Sequence, residues 1–201
     1  MSVSQVGPGL FLSGLDPALK ASVLTRRNIK LVVNASGVEG VVYPQVSHYI
    51  TSSSGHVTLP PPLPQVQGLD VVQVPVQDSP HAPLHQYFDS VSEKIHQNLL
   101  QNQGCLVHCT AGRSRSAALV LAFLMRYSGL SLAQAYTSVL QTRPFIRINA
   151  GFWRQLMDYE LRLQNRSTVQ MIQTESGVLP HILDQNQDPD RDRREGVCIN
   201  G

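Results

Sequence analysis

Short continuous apolar runs alternate along the chain with longer stretches in which apolar residues return every three or four positions. Gly9 to Ser13 reads as a first edge strand. Ile29 to Asn34 reads as a second, ended by Ala35-Ser36-Gly37, with Val71 to Val76 a third and Cys105 to Val107 a fourth. Unbroken apolar character in so short a run suits a strand covered on both faces. Between these runs the period lengthens. Asp16 can cap a helix running to about Asn28, with Pro17 at its first position, where proline is tolerated. Pro83 to Gln101 sets Leu84, Tyr87, Phe88, Val91, Ile95 and Leu99 on one stripe, leaves His85, Lys94 and Gln97 off it, and is followed by Gly104 as a stop. Ser116 to Tyr127 is apolar nearly all round and predicts the most buried helix of the molecule. Ser131 to Gln141 reads as a capped helix, and Asn149 starts another that carries Phe152, Trp153, Leu156, Tyr159 and Leu163.

This rhythm predicts a single α/β domain over residues 1–165, with a central, mostly parallel sheet flanked by helices. In such sheets ligands sit beyond the carboxyl ends of the strands. Two segments depart from the pattern. Residues 39–69 lack periodicity and contain Ser52-Ser53-Ser54-Gly55 and Pro60-Pro61-Pro62-Leu63-Pro64, which predicts an inserted, mobile surface loop. Its proline run favours an extended polyproline conformation able to dock on an aromatic groove of a partner, although a plain solvated loop is the simpler reading. Residues 166–201 form a tail whose Asp188 to Glu195 run mixes charges without an apolar stripe and predicts disorder near its end. Met171-Ile172 and Val178-Leu179 offer the tail points at which to pack back on the domain.

Composition excludes some classes. Of the 201 residues, 42% are hydrophobic and 15% charged, and the net charge of +2 is too mild to argue for nucleic acid or an anionic membrane as main partner. No apolar run reaches membrane-spanning length, and Met1 to Gln5 begins neither a secretory signal nor a myristoylation site. Three cysteines, an odd number, suit a reducing compartment, the cytoplasm and also the nucleus. Cys105 and Cys109, four apart on one strand, lie roughly 13 Å apart at about 3.3 Å per residue, too far to pair. Cys198, fourth from the end, is followed by Asn200 and Gly201, which fit prenylation poorly. His48, His56, His81, His85, His96 and His181 show no ligand spacing, so the chain calls for no metal and no cofactor.

The chemistry concentrates in Val107-His108-Cys109-Thr110-Ala111-Gly112-Arg113-Ser114-Arg115-Ser116-Ala117. A strand feeds a short loop of small residues, and a buried helix follows. Loop N–H groups turned inward, together with the helix N-terminus, make an anion site. That field favours thiolate at Cys109, since cysteines so placed titrate between about 3.5 and 7.5. Arg115, six positions on, can fork two hydrogen bonds onto an oxyanion. A thiolate facing a bound tetrahedral oxyanion is arranged to attack phosphorus. A buried structural cysteine is the competing reading, and the loop around it argues against that.

His-Cys-x5-Arg-Ser resembles the signature of the cysteine-dependent protein tyrosine phosphatase superfamily. Val74-Pro75-Val76-Gln77-Asp78-Ser79-Pro80 is similar to the general-acid loop of the small atypical dual-specificity phosphatases. Ala135-Tyr136, Arg143-Pro144, Gly151-Phe152-Trp153-Arg154-Gln155-Leu156 and Tyr159-Glu160 resemble that group's C-terminal helices. The likeness covers about residues 6 to 165. It implies Cys109 as nucleophile forming a phosphocysteine, Arg115 as the clamp on the equatorial oxygens, and Asp78, 31 residues upstream, as general acid and then base. It also implies a phosphate cradle built from Thr110, Ala111, Gly112, Arg113, Ser114 and Arg115. Ser116 would then assist the departing thiolate, and His108 would orient the loop rather than act as a base.

Two positions depart from the group. Arg113 stands where relatives often have a small or aliphatic residue, and an extra cation there suits a more highly charged substrate such as a phosphoinositide. Thr110 follows the cysteine, where lipid-directed cousins carry a basic residue. Ile148 precedes Asn149 where the family more often has proline. The resemblance implies a protein phosphatase acting on phosphotyrosine and phosphoserine or phosphothreonine, with phosphorylated proteins, kinases among them, as partners. A phosphatase of phosphoinositides or other non-protein substrates, and a scaffold that binds phosphoproteins without turnover, are the alternatives.

Overall fold

The computed structural model describes residues 2–44, 68–174 and 177–183. The unbroken apolar runs become four strands of a five-stranded sheet, three of them inner and one an edge. β1 (Ser4–Gly7), β2 (Leu10–Ser13), β3 (Ile29–Asn34), β4 (Asp70–Gln73) and β5 (Gly104–His108) lie in the order β1-β2-β5-β3-β4. β5 pairs in parallel with β2 and β3, and β3 pairs in parallel with β4. Every residue of β5 is buried, as a central strand requires. Gly9 to Ser13 is therefore not the edge strand expected. On that side the edge is β1, antiparallel to β2 and only four residues long, too short to stand out in the sequence, and the other edge is β4.

The helix expected from Asp16 to Asn28 is two, α1 (Leu15–Ala18) and α2 (Ala21–Arg26). Gly14 is the N-cap of α1 and Asp16 lies in its first turn, while Lys20, in extended backbone, starts α2 afresh. The break lets both Ala18 and Leu24 reach the sheet, where they pack with Phe11, Ile29, Val32 and Leu106.

The opposite face is covered by α3 (Phe88–Leu100), which follows a single 3-10 turn at Leu84–Tyr87, and by α4 (Arg115–Tyr127), α5 (Leu132–Thr142) and α6 (Ala150–Gln164). Every residue of α4 from Arg115 to Met125 is buried, because α4 lies between the sheet and the other three helices. Ser131 caps α5 in a reciprocal box with Gln134. Asn149 caps α6, its side chain accepting the Phe152 N–H at 2.9 Å.

The segment read as a tail begins instead with an antiparallel hairpin, β6 (Val169–Thr174) and β7 (Gly177–Ile182). Its base is clamped by Glu160, whose buried carboxylate accepts the Leu132 N–H (2.7 Å), the Thr168 N–H (2.8 Å) and the Thr168 hydroxyl (2.7 Å). Val169 joins the core and Met171 packs against it. The charged run from Asp188 and Cys198 lie outside the described residues, as do Pro60 to Pro64 and most of 39–69. The described start of that segment does lie at the surface, with Glu39, Gly40 and Val42 exposed, and only Tyr43 turns in, to the cluster beneath α1 and α2.

Candidate active site

The phosphate-loop residues occupy the turn from β5 into α4, at the carboxyl edge of the sheet. Cys109 is the first residue past the strand and is almost wholly buried. Its sulfur accepts the Gly112 N–H at 3.2 Å and the Ser116 hydroxyl at 3.2 Å. Burial alone would raise the thiol's pKa. The Ser116 hydroxyl, with the backbone N–H groups of Ser116, Arg113 and Gly112, outweighs that and leaves it below its ordinary value. Ser114, the N-cap of α4, does not cap it, since its hydroxyl donates to Asp78 Oδ1 at 2.7 Å. The first turn of the helix thus turns its donors to the sulfur rather than to a side-chain cap.

The loop's curvature needs glycine at 112. Its φ is +67°, and a Cβ there would lie 2.4 Å from Ser13 and from the Arg143 guanidinium. Arg143 is fully buried behind the loop. Its Nε donates to the Gly112 carbonyl at 2.6 Å, Nη2 to the Ala111 carbonyl at 3.4 Å, and Nη1 to the Ser2 carbonyl and the Ser4 hydroxyl. Burial lowers the pKa of this guanidinium, and the Cys109 charge partly restores it.

Arg115 is held from the other side. Its Nη1 donates to the carbonyls of Ser36 (2.5 Å) and Val76 (3.2 Å), and Nη2 to the Thr110 hydroxyl at 3.1 Å. Its Nε is buried without a hydrogen-bond partner and lies 3.9 Å from Asp78 Oδ2. A rigid guanidinium with one donor unspent is ready for an oxyanion.

Asp78 does meet the loop. Its Oδ1 accepts from Ser114 and, at 2.8 Å, from Asn149 Nδ2. The loop carrying it is stitched to α6, because the Gln155 side chain donates to the Ala82 carbonyl and accepts the His85 N–H. Arg113 divides its roles. Its backbone N–H faces the sulfur, while its exposed side chain donates Nε to the Phe145 carbonyl at 3.1 Å. The geometry thus ties the Nε of that side chain to the neighbouring loop.

His108 is completely buried between two partners. Its Nδ1 lies 3.3 Å from the Cys109 carbonyl, which can only accept, so Nδ1 carries the proton. Nε2 therefore accepts, and the Tyr43 hydroxyl donates to it at 2.6 Å. Burial pushes the His108 pKa down to about 4, against the raising effect of the Cys109 carbonyl, so the ring is neutral near pH 7. Tyr43 carries no periodic signal in the sequence. Asn149 is legible there only as a helix start and Arg143 only as part of a motif.

Residues 10–162 match the family model for the dual specificity phosphatase catalytic domain. Mouse dual specificity protein phosphatase 14 is 38% identical over 184 residues, covering 91% of this chain and 81% of that one. Human dual specificity protein phosphatase 21 is 36% identical over 186 residues, covering 92% of this chain and 86% of that one. The crystal structure of human DUSP28 shares the fold with a TM-score of 0.66 at 34% identity, over 81% of this chain and 95% of that chain. With its parallel sheet, its strand-loop-helix around Cys109 and a family match over most of its length, the chain belongs to the dual specificity phosphatases and is a protein phosphatase.

Proposed function

We propose that the chain hydrolyses phosphotyrosine and phosphoserine or phosphothreonine in proteins through a phosphocysteine at Cys109. One observation carries the reading. A buried sulfur, held toward thiolate by Ser116 and three loop N–H groups, lies one residue from Thr110, which Arg115 grips while keeping its Nε unspent.

In the first step the thiolate attacks phosphorus. The S–P bond forms, the P–O bond to the substrate breaks, and protonated Asp78 gives its proton to the leaving oxygen. Arg115 holds the equatorial oxygens with its guanidinium fixed beforehand by Ser36 and Val76. In the second step water attacks the phosphocysteine and gives a proton to the Asp78 carboxylate. The S–P bond breaks, the sulfur departs as thiolate onto the Ser116 hydroxyl, and inorganic phosphate leaves. His108 and Arg143 position the loop and touch no reacting atom.

The test is a denaturing quench after mixing with a phosphotyrosyl or phosphothreonyl peptide labelled at phosphorus. Label stays on the parent chain and is absent from Cys109→Ser, which does not turn over. Asp78→Ala binds the peptide and releases its alcohol slowly. Turnover by Cys109→Ser near the parent rate overturns the reading. The Arg113 Nε, bonded to the Phe145 carbonyl, directs that side chain toward the neighbouring loop, which supports the protein reading over a polyanionic lipid headgroup. Intact Cys109, Asp78 and Arg115 argue against a scaffold without turnover.

A further inference from the structure

Beside the phosphate loop lies a cavity of about 440 Å³ that the proposed reaction does not use. It shares a wall with the catalytic loops. Asp78, Ser114 and Asn149, joined by hydrogen bonds through Asp78 Oδ1, all line it. From there the lining mixes one cation with apolar groups: Ile146, Arg147 and Ile148 of the connection between α5 and α6, then Trp153 with Tyr136 set edge-on against it. Val178, Leu179 and Pro180 of β7 form the far wall. Val178 and Leu179 are 39% and 42% exposed, large apolar side chains left in water on the side of the groove.

We propose that this groove receives an apolar side chain of a polypeptide substrate, one that stands a few residues from the phosphorylated one. The proposal rests on the phosphoprotein reading given above. Continuity identifies the occupant. The groove opens on Asp78 and Ser114 of the proposed catalytic loops, so a chain whose phosphoryl group lies at Cys109 can lay its neighbouring residues along it. An extended chain advances about 3.3 Å per residue, so the residues nearest the phosphorylated one are those that enter it. The volume falls within the usual range of ligand pockets, about 300–1,000 Å³.

The wall nearest the phosphate loop is fixed before binding. The Arg147 N–H donates to the Arg113 carbonyl at 2.8 Å, tying the Ile146–Ile148 wall to the phosphate loop. In the β7 wall, Val178 and Leu179 pair across the hairpin with Gln173 and Ile172, and the hairpin's base is held by the Glu160 clamp. A preformed groove spends little of its binding free energy on ordering itself.

The test compares phosphotyrosyl peptides in which a single leucine is moved through the three positions on either side of the phosphoresidue, with a serine control and p-nitrophenyl phosphate alongside. In the parent chain one leucine position raises kcat/KM about tenfold over serine. Leu179→Ser, which lowers the wall, and Leu179→Trp, which fills the groove, each abolish that preference while leaving p-nitrophenyl phosphate turnover within twofold. The unchanged small substrate also reports that each variant is folded.

Turnover of all peptides without any leucine preference overturns the groove and leaves the phosphatase reading intact. Absence of turnover on peptides and p-nitrophenyl phosphate alike overturns both. A phosphoinositide whose hydrolysis falls in the Leu179 variants, while peptides are unaffected, gives the groove to an acyl chain and overturns the proposal as well.

Discussion

Gly151→Ala tests whether the loop bearing Asp78 delivers the proton. Gly151 is the second residue of α6, and a Cβ built on it would lie 1.8 Å from the Pro80 carbonyl oxygen and 2.4 Å from the Pro80 carbonyl carbon. Real Cβ atoms do not approach within 3.0 Å, so backbone must move by more than 1 Å. The loop cannot swing away freely, because Gln155 and Asn149 hold it at Ala82, His85 and Asp78. The strain therefore falls two residues from the carboxylate. A misplacement of about 1 Å costs on the order of 100-fold in rate, or about 3 kcal/mol of barrier, within the range that general acid catalysis contributes.

The leaving group isolates the cause. Tyrosine, with a pKa of about 10, needs a proton to depart, whereas p-nitrophenolate leaves nearly unaided. We expect kcat on a phosphotyrosyl peptide to fall about 100-fold and kcat on p-nitrophenyl phosphate to fall only a few-fold, with about 1–3 kcal/mol lost from stability by overpacking. Equal losses on both substrates in a chain that still melts cooperatively would refute the assignment of proton delivery to this loop. Unchanged turnover would refute the packing argument itself.

His108 makes stability depend on pH. The unfolded ring takes a proton below about 6.5 and the folded ring only below about 4, so its contribution is intact above pH 6.5. As pH falls from 6.5 to 4, roughly 3 kcal/mol should be lost, seen as a falling denaturant midpoint that His108→Gln flattens. Tyr43→Phe leaves the buried His108 Nε2 without its donor and should cost about 1–2 kcal/mol, several degrees of Tm, with the same m-value. Ser116→Ala removes a 3.2 Å donor from the sulfur, and the pH midpoint of iodoacetate alkylation of Cys109 should move up. Arg143→Met should move it in the same direction and lower kcat/KM, with restoration by Arg143→Lys only partial, because an ammonium cannot reach both loop carbonyls in a plane.

The parts legible in the sequence are those specified locally. Four of the five sheet strands follow from apolar runs and α4 from its all-round apolarity, and the loop from Cys109 to Arg115 follows from small residues between a strand and a helix. The edge strand β1 was not legible, because four residues give too little alternation to distinguish from a turn. Nor was the hairpin β6–β7, whose half-exposed residues look like a tail until Glu160 is seen to hold its base. Tyr43, Asn149 and Arg143 escaped for one reason. Each acts through a partner at least 31 positions away, His108, Asp78 and Gly112 respectively, and no local pattern carries such a pairing.

The buried Arg143 explains how a chain of net charge +2 holds an anion in its core. In a trans peptide the C=O and N–H point in opposite directions. Arg143 donates to the carbonyls of Ala111 and Gly112, and the N–H groups at the other ends of those two peptides belong to Gly112 and Arg113, which face the Cys109 sulfur. The guanidinium thus draws on the oxygen ends of the same peptides whose hydrogen ends meet the sulfur, and each bond polarises the next. Charge is carried to the sulfur through the backbone, so the cation stands behind the loop and leaves the front of the cradle to Arg115 and the incoming phosphoryl group. A cation in front would compete for those oxygens, and Arg113 instead ties its Nε to the Phe145 carbonyl.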